Sequence, residues 1–167
     1  MMRTALLVFS LAFAAIATAQ RATVHWAYGP FGTPGDAAFL VEGDRTFQAC
    51  GAIGTRGPCL FVVQGNEVFR SGDAFGSKGT GAFLAEGNEL FRCSGTFCAK
   101  GGCALVLDGN KVYRGEGAFC TRGEAAFVIE GHTVYHAEGA FAAKRDAVLH
   151  IRGDIPMVAL LTILAGL

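Results

Sequence analysis

Proline and tryptophan are scarce in this chain, four and one among 167 residues. So little proline excludes a collagen-like or polyproline rod and leaves nearly every backbone N–H available to a β ladder. An excess of either charge is also missing. Fourteen Lys and Arg offset fourteen Asp and Glu, so no overall field draws the chain to nucleic acid, and an electrostatic partner must be met locally. There is no CxxC pair, no Ser or Cys nucleophile with a base and an orienting acid, and no glycine-rich loop opening a helix. A protein that is not an enzyme and carries no cofactor is expected. An apolar run of the roughly 20 residues that a membrane-spanning helix needs is lacking as well; residues 5–16 and 155–167 are both shorter.

The first of those runs has another reading. Arg3 precedes it and Ala17-Thr18-Ala19 follows it, the n-region, h-region and small-x-small order of a secretory signal. A signal peptide over 1–19, cleavage after Ala19 and a mature chain from near Gln20 are expected. The protein is then periplasmic or extracellular. In an oxidising compartment six cysteines read as three bridges rather than metal ligands. Cys50 and Cys59 flank one loop, Cys93 and Cys103 flank the equivalent loop two repeats later, and Cys98 and Cys120 share one position in consecutive repeats. That pairing is one of the fifteen that six cysteines allow.

What the chain has in quantity is glycine, 24 residues, placed periodically. Residues 59–72 (CLFVVQGNEVFRSG), 81–95 (GAFLAEGNELFRCSG), 103–117 (CALVLDGNKVYRGEG) and 125–139 (AAFVIEGHTVYHAEG) repeat one pattern at a spacing of 22, the mark of a repeat fold. Gly43-Asp44, Gly65-Asn66, Gly87-Asn88, Gly109-Asn110 and Gly153-Asp154 separate apolar stretches of equal length. A glycine-led two-residue loop predicts a tight hairpin, with Glu42 opposite Arg45, Val41 opposite Thr46, Leu40 opposite Phe47 and Phe39 opposite Gln48. One hairpin alone is marginal in water, so the hairpins must stack. First strands begin near Ala37, Cys59, Gly81, Cys103, Ala125 and Ala147. An unpaired strand, TVHWAYG over 23–29, leads them. Pairing of that strand with the rear of the array predicts an all-β, radially closed fold of about six repeats over 20–155 in preference to an open β-solenoid. For residues 156–167 three roles remain: a closing strand, a membrane-associating or self-associating end, or the apolar part of a lipid-anchor signal.

Several columns of side chains recur at the same interval. An aromatic or aliphatic residue follows each connecting loop at Phe31, Ile53, Phe75, Phe97, Phe119 and Phe141. Cations stand at Arg56, Lys78, Lys100, Arg122 and Lys144, with Pro34 in the sixth place. Like charges so aligned repel unless an anion or acid lies between them, which makes this column a candidate site for an anionic lipid headgroup or glycan. Its plain alternative is a solubilising loop charge. Arg70, Arg92, Arg114 and His136 form another column, expected to make cross-strand ion pairs with Glu42, Glu86, Asp108 and Glu130. Of the four histidines, His132, His136 and His150 could be imagined around a metal, yet His132 and His150 stand where other repeats carry Asn and aliphatic residues, so no metal is expected. Arg152-Gly153-Asp154 spells an adhesion tripeptide, at a place where every other repeat but the one with Gly131-His132 has x-Gly-Asp or x-Gly-Asn.

The unit AFLAEGNELFRCSGTF, residues 82–97, resembles the β-flower type of bacterial protein, whose glycine-turn hairpins radiate as petals from a shallow barrel. The resemblance runs from Thr23 to about Ile155 and implies that fold, together with contact with membrane or lipid. VYRGEGAF, residues 112–119, is also similar to MORN repeats, which would imply an open scaffold. Two roles follow as expectations. One is a binding module for an anionic lipid or glycan through the cation column; the other is a structural or assembly protein of the cell envelope.

Overall fold

The computed structural model describes residues 21–167; the expected signal peptide over 1–19 and Gln20 lie outside the described residues. Twelve strands run in order: β1 (Arg21–Tyr28), β2 (Thr33–Glu42), β3 (Arg45–Cys50), β4 (Thr55–Gln64), β5 (Glu67–Ser71), β6 (Lys78–Glu86), β7 (Glu89–Ser94), β8 (Ala99–Asp108), β9 (Lys111–Glu116), β10 (Thr121–Glu130), β11 (Thr133–Glu138) and β12 (Ala143–Gly153). One helix, α1 (Met157–Ala165), ends the chain. Every strand pairs antiparallel with its sequence neighbours, and β1 pairs with β12, so the sheet is a closed barrel and not an open solenoid.

The hairpins form in the register that their turns dictate. Glu42 faces Arg45, Val41 faces Thr46, Leu40 faces Phe47 and Phe39 faces Gln48. Gly43, Gly65, Gly87, Gly109 and Gly131 have φ between 58 and 64°. A positive φ at the first turn residue alone is the type II′ pattern, which only glycine adopts without steric cost and which matches the strand twist. The sixth hairpin is made from the two ends of the barrel, with Ala22 opposite Gly153 and Trp26 opposite Leu149. The turn expected at Gly153-Asp154 does not form, because no strand follows it. The chain leaves β12 there and enters α1, and Arg152-Gly153-Asp154 marks that exit. Gly153, at φ +91°, lies so close to β1 that a Cβ would come within 2.5 Å of the Arg21 carbonyl.

Residues 155–167 are not a closing strand, because β1 already fills that place in the sheet. A twelve-stranded barrel is wider than its own wall side chains can fill, and an apolar segment threaded along the axis supplies the missing volume. Ala159 to Leu164 of α1 are all buried. They form one core with Val24, Leu90, Val112 and Val134 of the lumen wall and with Leu105, Phe127, Leu149 and Ile151. A helix apolar on all sides is stable only when surrounded. The segment is packed inside its own barrel rather than presented to a membrane or a second copy.

The cysteine pairing expected from the sequence is corrected. Cys93 bonds Cys98 and Cys103 bonds Cys120, each with Cα atoms 4.9 Å apart, while Cys50 is an exposed and Cys59 a buried free thiol. The reason lies in a triad of small residues that each repeat buries where a first strand meets a second strand and the following loop. Gly81, Cys93 and Cys98 form one triad, and Cys103, Gly115 and Cys120 the next. Where two members are cysteine the third is glycine, with no room for more: a Cβ on Gly81 would lie 2.9 Å from the Cys93 Sγ. Ala125, Ala137 and Ala142 fill the equivalent place with methyl groups. Cys59 sits with Ser71 and Gly76 and so has no thiol within its own triad. Cys50 lies at the exposed end of β3 opposite Thr55, whereas Cys59 is level with Phe47, about 10 Å away along the strand at 3.3 Å per residue. Cys103 is level with Phe91, two residues from Cys93 along β7, or about 7 Å.

Candidate functional site

The barrel has two ends. Hairpin turns and the start of α1 occupy one; the loops that join hairpins and the C-terminal end of α1 occupy the other. Each joining loop contains a four-residue turn, and all but the six-residue loop after β5 consist of nothing else. The N–H of the turn's fourth residue bonds the carbonyl of its first at 3.2–3.5 Å in five of the six loops. The turn therefore carries its third side chain outward. Those third residues are Phe31, Ile53, Phe75, Phe97, Phe119 and Phe141, and they are 81–95% exposed. Single exposed apolar residues are ordinary on a protein surface, but six quasi-equivalent ones crowning one end are not.

The crown is also rigid. The loop carbonyls of Gly29, Gly51, Ala74, Gly95 and Gly117 accept N–H groups from the first strands of neighbouring hairpins at 2.8–3.1 Å. In the loop after β5, Asp73 Oδ1 accepts the N–H groups of Phe75, Gly76 and Ser77 at 2.8, 2.9 and 3.1 Å. Hydrogen bonds from Ser77 and its neighbours hold that carboxyl below the usual aspartate range. The residues preceding the tips are Pro30, Ala52, Ala74, Thr96, Ala118 and Ala140, so the crown bears no charge at its apex.

On the outer wall each cation of the expected anion-binding column reaches across an aromatic ring to an acceptor fourteen residues earlier. Lys100 lies 3.7 Å from the Phe91 centroid and 2.5 Å from Glu86. Arg122 lies over Tyr113 and bonds Asp108, and Lys144 lies over Tyr135 and bonds Glu130. Arg56 spans Phe47 to Glu42, and Lys78 spans Phe69 to Gln64. The hydrogen bond that Lys144 donates to the Glu130 carboxylate raises its ammonium above the ordinary value. Five such straps bind three strands apiece, each a weak contact because the pairs are exposed to solvent.

This arrangement removes the acids from the partners the sequence suggested for them. Glu42, Glu86, Asp108 and Glu130 pair with the outer cations and not with Arg70, Arg92, Arg114 and His136. Side chains alternate along a strand. The aromatic at 69, 91 or 113 faces out, so the Val, Leu or Val before it and the arginine after it face the lumen. Arg92 and Arg114 border the recess at the end of α1 with Leu164, Ala165 and Leu167, and Arg70 borders another with Thr162, Ile163 and Gly166. His136 stacks on Phe127 at 5.5 Å between ring centroids. No family model, curated protein or solved structure matches the chain.

The three histidines imagined around a metal are not brought together, because His136 faces the lumen while His150 lies on the outer wall. Its neighbour across the seam is His25, the Cα partner of His150 in the β1–β12 pairing. Here Pro34, His25 and Arg152 replace the cation, aromatic and acid of the other straps. His25 Nδ1 meets the Gly35 carbonyl at 3.0 Å. Burial, reinforced by Arg152, His132 and His25, pushes the His150 imidazole below its ordinary value. The native state thus holds His150 neutral where the unfolded chain would protonate it. The stability this contributes is present above about pH 6.5 and is lost as the pH falls from there through the depressed native value. Thermal unfolding is expected at a lower midpoint at about pH 5 than at about pH 7.5, and H150Q is expected to flatten that difference.

The sequence pattern marks the crown residues as a column but does not show that they protrude. That follows from the turn geometry alone. The lumenal facing of the arginine column was equally hidden, since the hairpins have apolar residues on both faces.

Proposed function

We propose that this is an exported, non-enzymatic barrel that seats its loop end on a lipid surface. The observation that carries the reading is the crown: six tips, five Phe and one Ile, at least 81% exposed, uncharged at the apex and fixed by backbone hydrogen bonds. A ring of near-identical tips at one end of a closed barrel suits a surface that is flat and uniform in every direction, as a bilayer interface is. Aromatic side chains favour that interface. A glycan is the poorer match, because sugar hydroxyls need polar partners and the tips present Pro, Ala and a single Thr beside the rings. The expected cation column does not enter this reading, since each cation is held by its own wall partners. Lipid contact is also what the resemblance to β-flower proteins implies. Assembly through the C-terminal segment has no support, because α1 lies inside the barrel.

Flotation with phosphatidylcholine vesicles tests the proposal. At about 1 kcal/mol per partly inserted ring, F75S/F97S/F119S is expected to weaken partitioning by roughly a hundredfold or more, with thermal stability unchanged. Equal flotation of the variant would refute it. A wild-type dimer in solution that the same substitutions dissociate would instead assign the crown to self-association.

A further inference from the structure

Inside the crown, at the barrel axis, lie the lumenal cations. Arg70, Arg92 and Arg114 come from the second strands of three consecutive hairpins, close to their loop ends, and all three are exposed in the mouth. Among the described residues none of them has a carboxylate within 4.0 Å, although four of the five outer cations do. Each guanidinium has five N–H donors. The protein satisfies one of these through a side-chain bond, from Arg92 Nη1 to the Cys103 carbonyl at 3.2 Å. An open cavity of about 420 Å³ adjoins Arg114, lined also by His136, Glu124, Glu138 and Leu167, and Arg92 shares with Arg114 the recess beside it at the end of α1. Of its two acids, Glu138 is engaged by Arg145 at 2.8 Å.

We infer that this mouth binds the phosphate of an anionic lipid headgroup, one with no ammonium of its own to offset the charge, with Arg92 and Arg114 as its principal donors and Arg70 beside them. The inference rests on the crown reading: tips inserted at the interface bring the mouth to the level at which phosphates lie. Guanidinium forks match phosphate oxygens in geometry and charge, and a site partly shielded from water strengthens such bonds. A balancing role toward the negative end of α1 would use the same charges without a ligand. Among the described residues, however, no arginine donates to a carbonyl of that helix.

The test compares vesicles of phosphatidylcholine alone with vesicles that also contain phosphatidylglycerol, at one ionic strength. The full chain is expected to prefer the mixed vesicles by about thirtyfold, as two arginines near an anionic surface supply. R92Q/R114Q is expected to bind both vesicles alike, at the wild-type level for phosphatidylcholine. K78Q/K100Q removes the same charge from the outer wall and should keep most of the preference. Loss of the preference in both double variants would overturn a defined site in favour of diffuse charge, and a wild type indifferent to phosphatidylglycerol would overturn the inference while leaving the crown intact. Absence of binding to either vesicle removes the crown reading instead. A soluble short-chain phosphatidylglycerol should shift the Arg92 and Arg114 side-chain resonances. Equal affinity for inorganic phosphate would overturn the assignment to a lipid.

Discussion

Leu160→Asp is expected to abolish the cooperative fold. Leu160 is 2% exposed at the centre of α1, within a core to which β1, β2, β7, β8 and β9 contribute. A carboxylate there has no cation to meet, and burying an unpaired charge costs more than a small domain can spare. Leu160→Ala removes volume without adding charge and is expected to cost about 2–5 kcal/mol, leaving a weakened but native barrel. Removal of residues 156–167 should do what the aspartate does, because an emptied twelve-stranded lumen exposes its Val and Leu lining to water. Near-ultraviolet circular dichroism and thermal melts read all three variants. A truncated chain that still melts at the wild-type midpoint would show that α1 is not the core of the barrel.

Opening the Cys103–Cys120 bridge is expected to have the next largest effect. The two residues are 17 apart in sequence, and cross-linking a loop of that length stabilises by about 3 kcal/mol through the unfolded chain. C103A/C120A should therefore lower the melting midpoint by roughly 6–12 °C. The repeat permits the reverse experiment. Gly76 stands where the next two repeats carry Cys98 and Cys120, and a Cβ there would lie 3.2 Å from the buried Cys59 Sγ. Gly76 has φ +92°, and Cys98 and Cys120 already hold positive values of 48 and 54°, so a cysteine fits the backbone class of the site. Arg45, whose Nε would lie 2.8 Å from the new Cβ, is flexible enough to swing aside. G76C should oxidise to a third bridge and raise the midpoint by a comparable amount. If G76C leaves both thiols free to alkylation in the folded state, the triad is not the rule that places the bridges.

These two predictions also mark what the sequence made legible. The period of 22 and the glycine-led pairs determine strand, turn and register, so the pairing of Leu40 with Phe47 and of Val41 with Thr46 follows from the sequence alone. Closure was legible too, because a lone β1 at the front needs a partner at the back. The path of residues 155–167 was not, since a 13-residue apolar segment that keeps the repeat period fits a strand as well as a helix. Only the width of a twelve-stranded lumen decides between them. The bridges failed for a related reason. Loop-flanking cysteines look adjacent in sequence, whereas their real neighbours are set by which strand face and which level along the barrel each occupies. The cation column is plain in the sequence, but its partners lie fourteen residues back and across an intervening strand. Its charges were therefore legible and their neutralisation was not.

The crown can be tested most directly by the depth of one of its tips. In W26F/F119W the only tryptophan sits on the crown, while in the unsubstituted protein it is Trp26, which packs against Phe39 on the lumen wall with ring centroids 6.2 Å apart. With vesicles whose acyl chains are brominated near the headgroup, the tryptophan at 119 should shift to the blue and be strongly quenched, and Trp26 should be little affected. If the tryptophan at 119 remains as unquenched as Trp26 while the protein floats with the vesicles, the barrel binds by some other face and the account of the crown is wrong.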